Sequence, residues 1–218
     1  MSTAGVDDRT AKARIRDAAI LCFSEHGSET TARKVAQAAG VSPGLVIHHF
    51  GSMDGLRSAC DEYVAASIRR VEEGAASAGP RLDILAALRD SETGLLMGYL
   101  AKILSDDAPA VAKLVDDLVT DAEGYCQRYV EAGMMRPTVN PRGRAAVLVL
   151  QSLGVLVMHK HVERILGVDL TDPQIGTDPS FASYMIPINE VYGEGIMTDS
   201  FAKHMRESLS GIAGEGAT

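Results

Sequence analysis

Cysteine is scarce, and its placement is uninformative for bridging. Cys22, Cys60 and Cys126 are odd in number, widely spaced and without a Cys-x-x-Cys pair, which excludes a disulfide framework and a zinc knuckle. Cys22 falls on a core stripe, and Cys60 and Cys126 leave a redox role open beside the plainer one of small buried hydrophobes. Long apolar runs are missing too. The longest, Ala145 to Met158, is interrupted by Gln151 and Ser152 and is too short to span a bilayer. The first residues, MSTAGVDDRT, are polar and acidic, unlike a signal peptide, so the expectation is a soluble cytoplasmic protein without membrane attachment. No stretch alternates with period two, no internal repeat is visible, and neither Gly-x-Ser-x-Gly nor a phosphate loop occurs.

What is present is helical periodicity. At 218 residues and 46% hydrophobic, the chain can bury a large core. Ile15, Ala18, Ala19, Cys22 and Phe23 recur at i, i+3, i+4, i+7 and i+8, predicting an amphipathic helix from about Thr10 to His26. Ala32, Val35, Ala36 and Ala39 form a second, narrow stripe of small residues. Gly40 ends it, because glycine past the last periodic position accepts the left-handed C-cap conformation, with Val41 as its hydrophobic partner. Ser42 can cap a new helix at once, and Pro43 suits its first position, where a missing N–H costs nothing. Two helices joined by a short glycine-containing turn make a helix-turn-helix.

In that second helix Leu45, Val46 and Ile47 are consecutive, and no single inward face can bury all three. Val46 and Phe50, four apart, are the expected inward pair. Either Leu45 or Ile47 is then free to meet a thymine methyl in the major groove, unless both pack under neighbouring helices. Thr31 and Ser42 offer hydroxyls and helix-start amides to phosphate oxygens, although capping alone would explain them. Arg33, with Lys34, Lys12, Arg14 and Arg16, supplies charge, and His48 and His49 can donate to phosphates.

Ala18 to Phe23, Gly27 and the segment from Thr30 to Leu56 together resemble the N-terminal domain of the TetR family of transcriptional repressors. The agreement runs through Phe23, Gly27, Thr31, Val35, Ala36, Gly40, Val41, Ser42, His49, Phe50, Ser52 and Leu56, about the first quarter of the chain. Three positions depart from the family pattern. Leu45 stands for a small hydroxyl residue, Ile47 for a tyrosine that meets the DNA backbone, and Met53 for a phosphate-binding lysine. The resemblance implies an all-α fold with a three-helix helix-turn-helix domain and a C-terminal helical bundle for ligand binding and dimerisation. The expected limits are 8–55, 56–210 and a flexible tail at 211–218. The expected DNA-facing set is Thr31, Arg33, Ser42, Pro43, Gly44, Leu45, Ile47, His48 and His49.

Charge is distributed to suit this. The net charge is −8, yet residues 1–60 hold seven basic against six acidic side chains, and the acidity lies in the remainder. Beyond Ser52, helices are expected at Asp54–Glu73, Leu82–Asp90, Thr93–Ser105, Pro109–Ala132, Pro141–Leu166, Pro179–Tyr192 and Thr198–Leu209, with Gly74 marking an end and Gly167–Thr177 a loop. Asn140-Pro141 and Asp178-Pro179 are each a cap followed by a first-turn proline. The helix after Pro141 is apolar nearly all round and must be covered on most sides; the resemblance assigns it, with the segment after Pro179, to dimerisation. A helix-turn-helix reader of two half-sites requires a dimer as well.

The resemblance further implies a small-molecule effector among the middle helices. Met97, Tyr99, Tyr125, Tyr129, Met158 and His159 are the candidates, soft apolar surface with sparse polar handles that suits an apolar or amphipathic ligand. The function so read is a DNA-binding transcriptional regulator, a repressor of efflux or metabolic genes released by that ligand, with no cofactor, no metal and no catalytic residue. Two other readings stay open. One is a TetR-like dimer that does not read DNA. The other is a metal-binding bundle enzyme using His159, His161 and Glu163, which lacks the second matching pair a di-metal bundle needs.

Overall fold

The computed structural model describes residues 3–79, 93–105 and 109–205. Every regular element among them is helical. The expected helix 82–90 and tail 211–218 lie outside the described residues, as does the end of the helix expected at 198–209, of which residues 199–205 are helical.

The N-terminal part is built as its stripes dictate. Helix α1 (Thr3–His26) buries Ile15, Ala19, Ile20, Cys22 and Phe23. Helix α2 (Ala32–Ala39) buries Val35 and Ala36, and α3 (Pro43–Phe50) buries Val46. The turn between α2 and α3 depends on Gly40, whose φ of +67° is left-handed, and its amide donates back to the Ala36 and Gln37 carbonyls. An alanine there would meet no steric obstacle, since nothing lies within 4 Å, so the conformation alone sets the cost. Gly40→Ala is expected to destabilise the protein by roughly 1–2 kcal/mol, measured as a shift in the denaturant midpoint at unchanged slope.

Helix α4 (Met53–Ala78) leaves this cluster and runs past Gly74, where the sequence pattern predicts an end. A mid-helix glycine costs only about 1 kcal/mol. The helix continues through it to bury Ala76 and closes at Gly79, whose amide donates to the Ala75 carbonyl. Helices α5 (Thr93–Ile103), α6 (Pro109–Glu131) and α7 (Pro141–Val157) form the body. There α4 packs on α6, α6 on α7 and α5 on α7, while α1 lies along α5. Most buried residues of α1 to α7 join in one hydrophobic cluster.

The expected single helix Pro141–Leu166 is corrected to two. α7 stops at Val157, and α8 (His159–Leu166) departs at 74°. The break is made by Met158, whose ψ of +15° is outside the helical range, and by His159, whose Nδ1–H donates to the Leu156 carbonyl at 2.9 Å. Beyond it, the stretch 167–177 buries Val168, Leu170 and Ile175 against the body. The helix expected at Pro179–Tyr192 is a 3-10 turn (Pro179–Phe181), then α9 (Ala182–Asn189), then a π turn (Glu190–Glu194). No single helix among the described residues is long and apolar enough to cross a membrane.

Candidate functional site

The helix-turn-helix presents its expected polar set outward. Thr31 Oγ1 accepts from the Lys34 amide at 3.4 Å and Ser42 Oγ from the Leu45 amide at 3.2 Å, so both hydroxyls cap helices while their residues stay exposed. Arg33, Pro43, Gly44 and His48 are exposed beside them. The choice between Leu45 and Ile47 resolves geometrically. Val46 is wholly buried, Leu45 is half-buried against the core, and Ile47 is 39% exposed. Ile47 is therefore the outward apolar side chain of α3. His49 is half-buried, its ring edge-on to Phe50 at 6.3 Å, and Lys12 lies 5.5 Å from the Phe50 centroid.

A second site lies in the body. α4, α5, α6 and α7 border a partly open cavity of about 290 Å³ lined by Ile68, Val71, Leu96, Met97, Leu100, Leu118, Leu148, Val149, Leu153 and Leu156. Its polar lining is Glu72, Asp121, Tyr125 and Ser152. Sparse polar groups in an apolar concavity are the usual composition of a ligand site.

Of the residues expected to meet a ligand, only Met97 and Tyr125 line this cavity. Tyr129 stands behind Tyr125, its ring edge-on at 6.1 Å, and donates its hydroxyl to Glu72 Oε2 at 2.5 Å. Tyr99 is elsewhere: fully buried, edge-on to Phe23 at 6.2 Å, with its hydroxyl donated to Asp61 Oδ1 at 2.6 Å. Met158 and His159 line a separate cleft with Leu21, Lys102, Lys160 and Thr171. The sequence reading missed Glu72 and Asp121. Their signal was a carboxylate on an apolar stripe: Val64, Ile68 and Glu72 are spaced by four, and Leu118, Asp121 and Tyr125 by three and four.

The titratable groups here are shifted by burial. It raises the Glu72 carboxyl above the usual range, only partly opposed by the Tyr129 hydroxyl. Asp61 is likewise raised by burial, with the Tyr99 hydrogen bond opposing. Burial also pushes the Cys60 thiol up to about 12 and the Cys126 thiol upward, so neither holds the thiolate that redox sensing needs. Among the described residues no group of three or more His, Cys, Asp or Glu could hold a metal ion.

Two family models match the chain. Residues 15–60 match bacterial regulatory proteins of the tetR family, and residues 91–198 match the tetracyclin repressor-like C-terminal domain. The HTH-type transcriptional regulatory protein RaaS of Mycobacterium tuberculosis is 36% identical over 193 residues, 88% of this chain and 89% of that protein. This chain belongs to the TetR family. It is a DNA-binding transcriptional regulator rather than an enzyme. The HTH-type transcriptional regulator BetI of Paraburkholderia phymatum is 40% identical over 77 residues, 32% of this chain and 38% of its own. Among solved structures, SmeT of Stenotrophomonas maltophilia has the same fold at a TM-score of 0.52 and 23% identity, covering 79% of this chain and 89% of SmeT. TetR-family regulators bind operator DNA and small-molecule effectors and act as dimers. In this regulator the reading helix and the cavity are the two places where those activities can be sought.

Proposed function

We propose that this TetR-family regulator is a cytoplasmic dimeric repressor whose operator binding is released by a small apolar or amphipathic ligand in the body cavity. The observation that carries the reading is the double role of α5. Leu96, Met97 and Leu100 wall the cavity, and the same helix packs along α1 of the DNA-binding end. A ligand that displaces α5 therefore acts on the DNA-reading end without touching the DNA surface.

The division assigned is a head at 8–55, a regulatory and dimerising region at 56–210 and a tail at 211–218. Operator contacts are assigned to Thr31, Arg33, Ser42, Pro43, Gly44, Leu45, Ile47, His48 and His49. Ile47 reads a thymine methyl, in keeping with its exposure, and the half-buried Leu45 contributes at the edge. The ligand set is Met97 and Tyr125 directly and Tyr129 through Glu72, while Tyr99, Met158 and His159 act from outside the cavity. Dimerisation is assigned to the exposed apolar side chains Val147, Leu150 and Val157 of α7, with Ile186 and Tyr192 beyond it. On a monomer such a surface is unusual; covered by a second copy it is ordinary.

Two measurements test the reading. Arg33→Ala should weaken binding to all DNA sequences alike and reduce the slope of log affinity against log salt by about 1. A loss confined to one base position would make Arg33 a base reader. By linkage, an inducer that favours the DNA-incompetent arrangement must bind more weakly to operator-saturated protein, by the factor with which it weakens operator binding. Equal ligand affinity with and without operator would refute release by this route.

A further inference from the structure

Three carboxylates of α4 and α6 each pair with a side chain of the other helix, and two of them are matched by arginine. Glu73 Oε1 lies 3.2 Å from Arg128, and Asp121 Oδ2 lies 3.3 Å from Arg69. Glu72 is matched differently. Its partner is the neutral hydroxyl of Tyr129, and among the described residues no basic side chain pairs with it. It is also the carboxylate that lines the apolar cavity alongside Tyr125.

Holding an anion in such a place is costly unless a cation meets it. Burial already raises the Glu72 carboxyl above its ordinary range, with the Tyr129 hydroxyl only partly opposing. The remaining polar groups discriminate further. Tyr125 lines the same cavity, and an aromatic ring whose face is electron-rich favours a cation over an anion as its neighbour. An anionic ligand would find Glu72 and Asp121 in the wall and no unmatched base among the described residues lining it.

We infer that the cavity takes a lipophilic ammonium ion, its charge beside Glu72 and Tyr125 and its apolar body among Leu96, Leu100, Leu153 and Leu156. This rests on the proposal that the cavity is the effector site, and adds the sign of the ligand's charge to it. Glu72 is then the residue that selects for charge, and the α5 and α7 side chains accept any apolar body that fits.

The test compares ligands of one chain length on the full-length protein. Isothermal titration calorimetry would be run with decyltrimethylammonium, decanol and decanoate, each below its micelle concentration. Wild type should bind the ammonium roughly ten- to hundredfold more tightly than decanol, the range expected for a buried charge-assisted contact, and decanoate least well. Glu72→Gln, which keeps an acceptor for Tyr129, should erase the ammonium's advantage while leaving decanol binding unchanged. Glu72→Asp should retain most of it.

Decanol binding by each variant reports that the cavity has formed, and the ranking in wild type stands whatever the variants do. Decanol binding as tightly as the ammonium to wild type overturns the charge assignment and leaves the effector cavity standing. An ammonium advantage that survives Glu72→Gln overturns the role of Glu72 and with it this inference. Failure of all three ligands to bind overturns the cavity reading as well.

Discussion

Leu150→Glu is expected to leave each chain folded and to abolish tight operator binding. Leu150 is 58% exposed on α7, so a charge there disturbs a single subunit by no more than about 0.5 kcal/mol, as for most surface substitutions. It shares its stripe with Val147, Gly154 and Val157, spaced three and four apart. Gln151 beside it accepts the Tyr192 hydroxyl at 3.0 Å, tying the π turn to the same helix. In a dimer built on this stripe, the introduced carboxylate and its symmetry mate would be buried without partners, a loss that breaks the interface. Two heads then bind as one. The second half-site contributes through effective concentration, and losing it lowers operator affinity by about 10²–10⁴-fold. Sedimentation velocity and operator-binding anisotropy on the same sample check both halves. A Leu150→Glu protein that remains dimeric at micromolar concentration refutes the assignment of this face.

The largest effect on stability is expected at Tyr99. Its ring is fully buried between the head and body, edge-on to Phe23. Tyr99→Ala should cost about 3–5 kcal/mol, the range for truncating a large buried aromatic. Tyr99→Phe keeps the ring and deletes the donor to Asp61, leaving a half-buried carboxylate less satisfied, at about 1–3 kcal/mol. The partner behaves in the opposite sense. The folded-state pKa of Asp61 is raised, so its contribution is fully present below the ordinary carboxylate pKa and is lost as pH rises through the folded value. Asp61→Asn, which still accepts from Tyr99, should therefore melt higher than wild type at neutral and alkaline pH, with the difference closing on acidification. Thermal denaturation across pH measures this. A gap that widens toward acid reverses the sign and removes the explanation.

How legible these features were depends on how local their causes are. The caps at Thr31, Ser42 and Asn140 and the left-handed Gly40 are determined by a few adjacent residues, and each stands where the sequence pattern puts it. The break at Met158 is not signalled by glycine or proline; it depends on an imidazole reaching back to a carbonyl three residues earlier. Burial of Val168, Leu170 and Ile175 needed a body to pack against, which a loop-like composition conceals. The cavity was the least legible. Tyrosines and methionines mark soft surface wherever they fall. What distinguishes Tyr125 from Tyr99 is which helix lies opposite, and Glu72 meets Tyr129 across 57 positions of sequence.

The packing of α1 on α5 has a bearing on what can be exchanged between relatives. At Gly27 an added Cβ would come within 2.9 Å of Lys102 Cε, and Phe23 meets Tyr99 a turn earlier on α1. A graft of the first 60 residues from another family member would retain the family positions Phe23 and Gly27 but set foreign side chains from the rest of α1 against α5. The transplantable piece is discontinuous: the reading helices together with α5, which the 26-residue α4 and the segment after it separate in the chain. A hybrid made at that seam would keep the α1–α5 contact but bring the donor's α5 into the cavity wall, whereas one cut at the end of the helix-turn-helix would keep the cavity and alter the contact through which it acts.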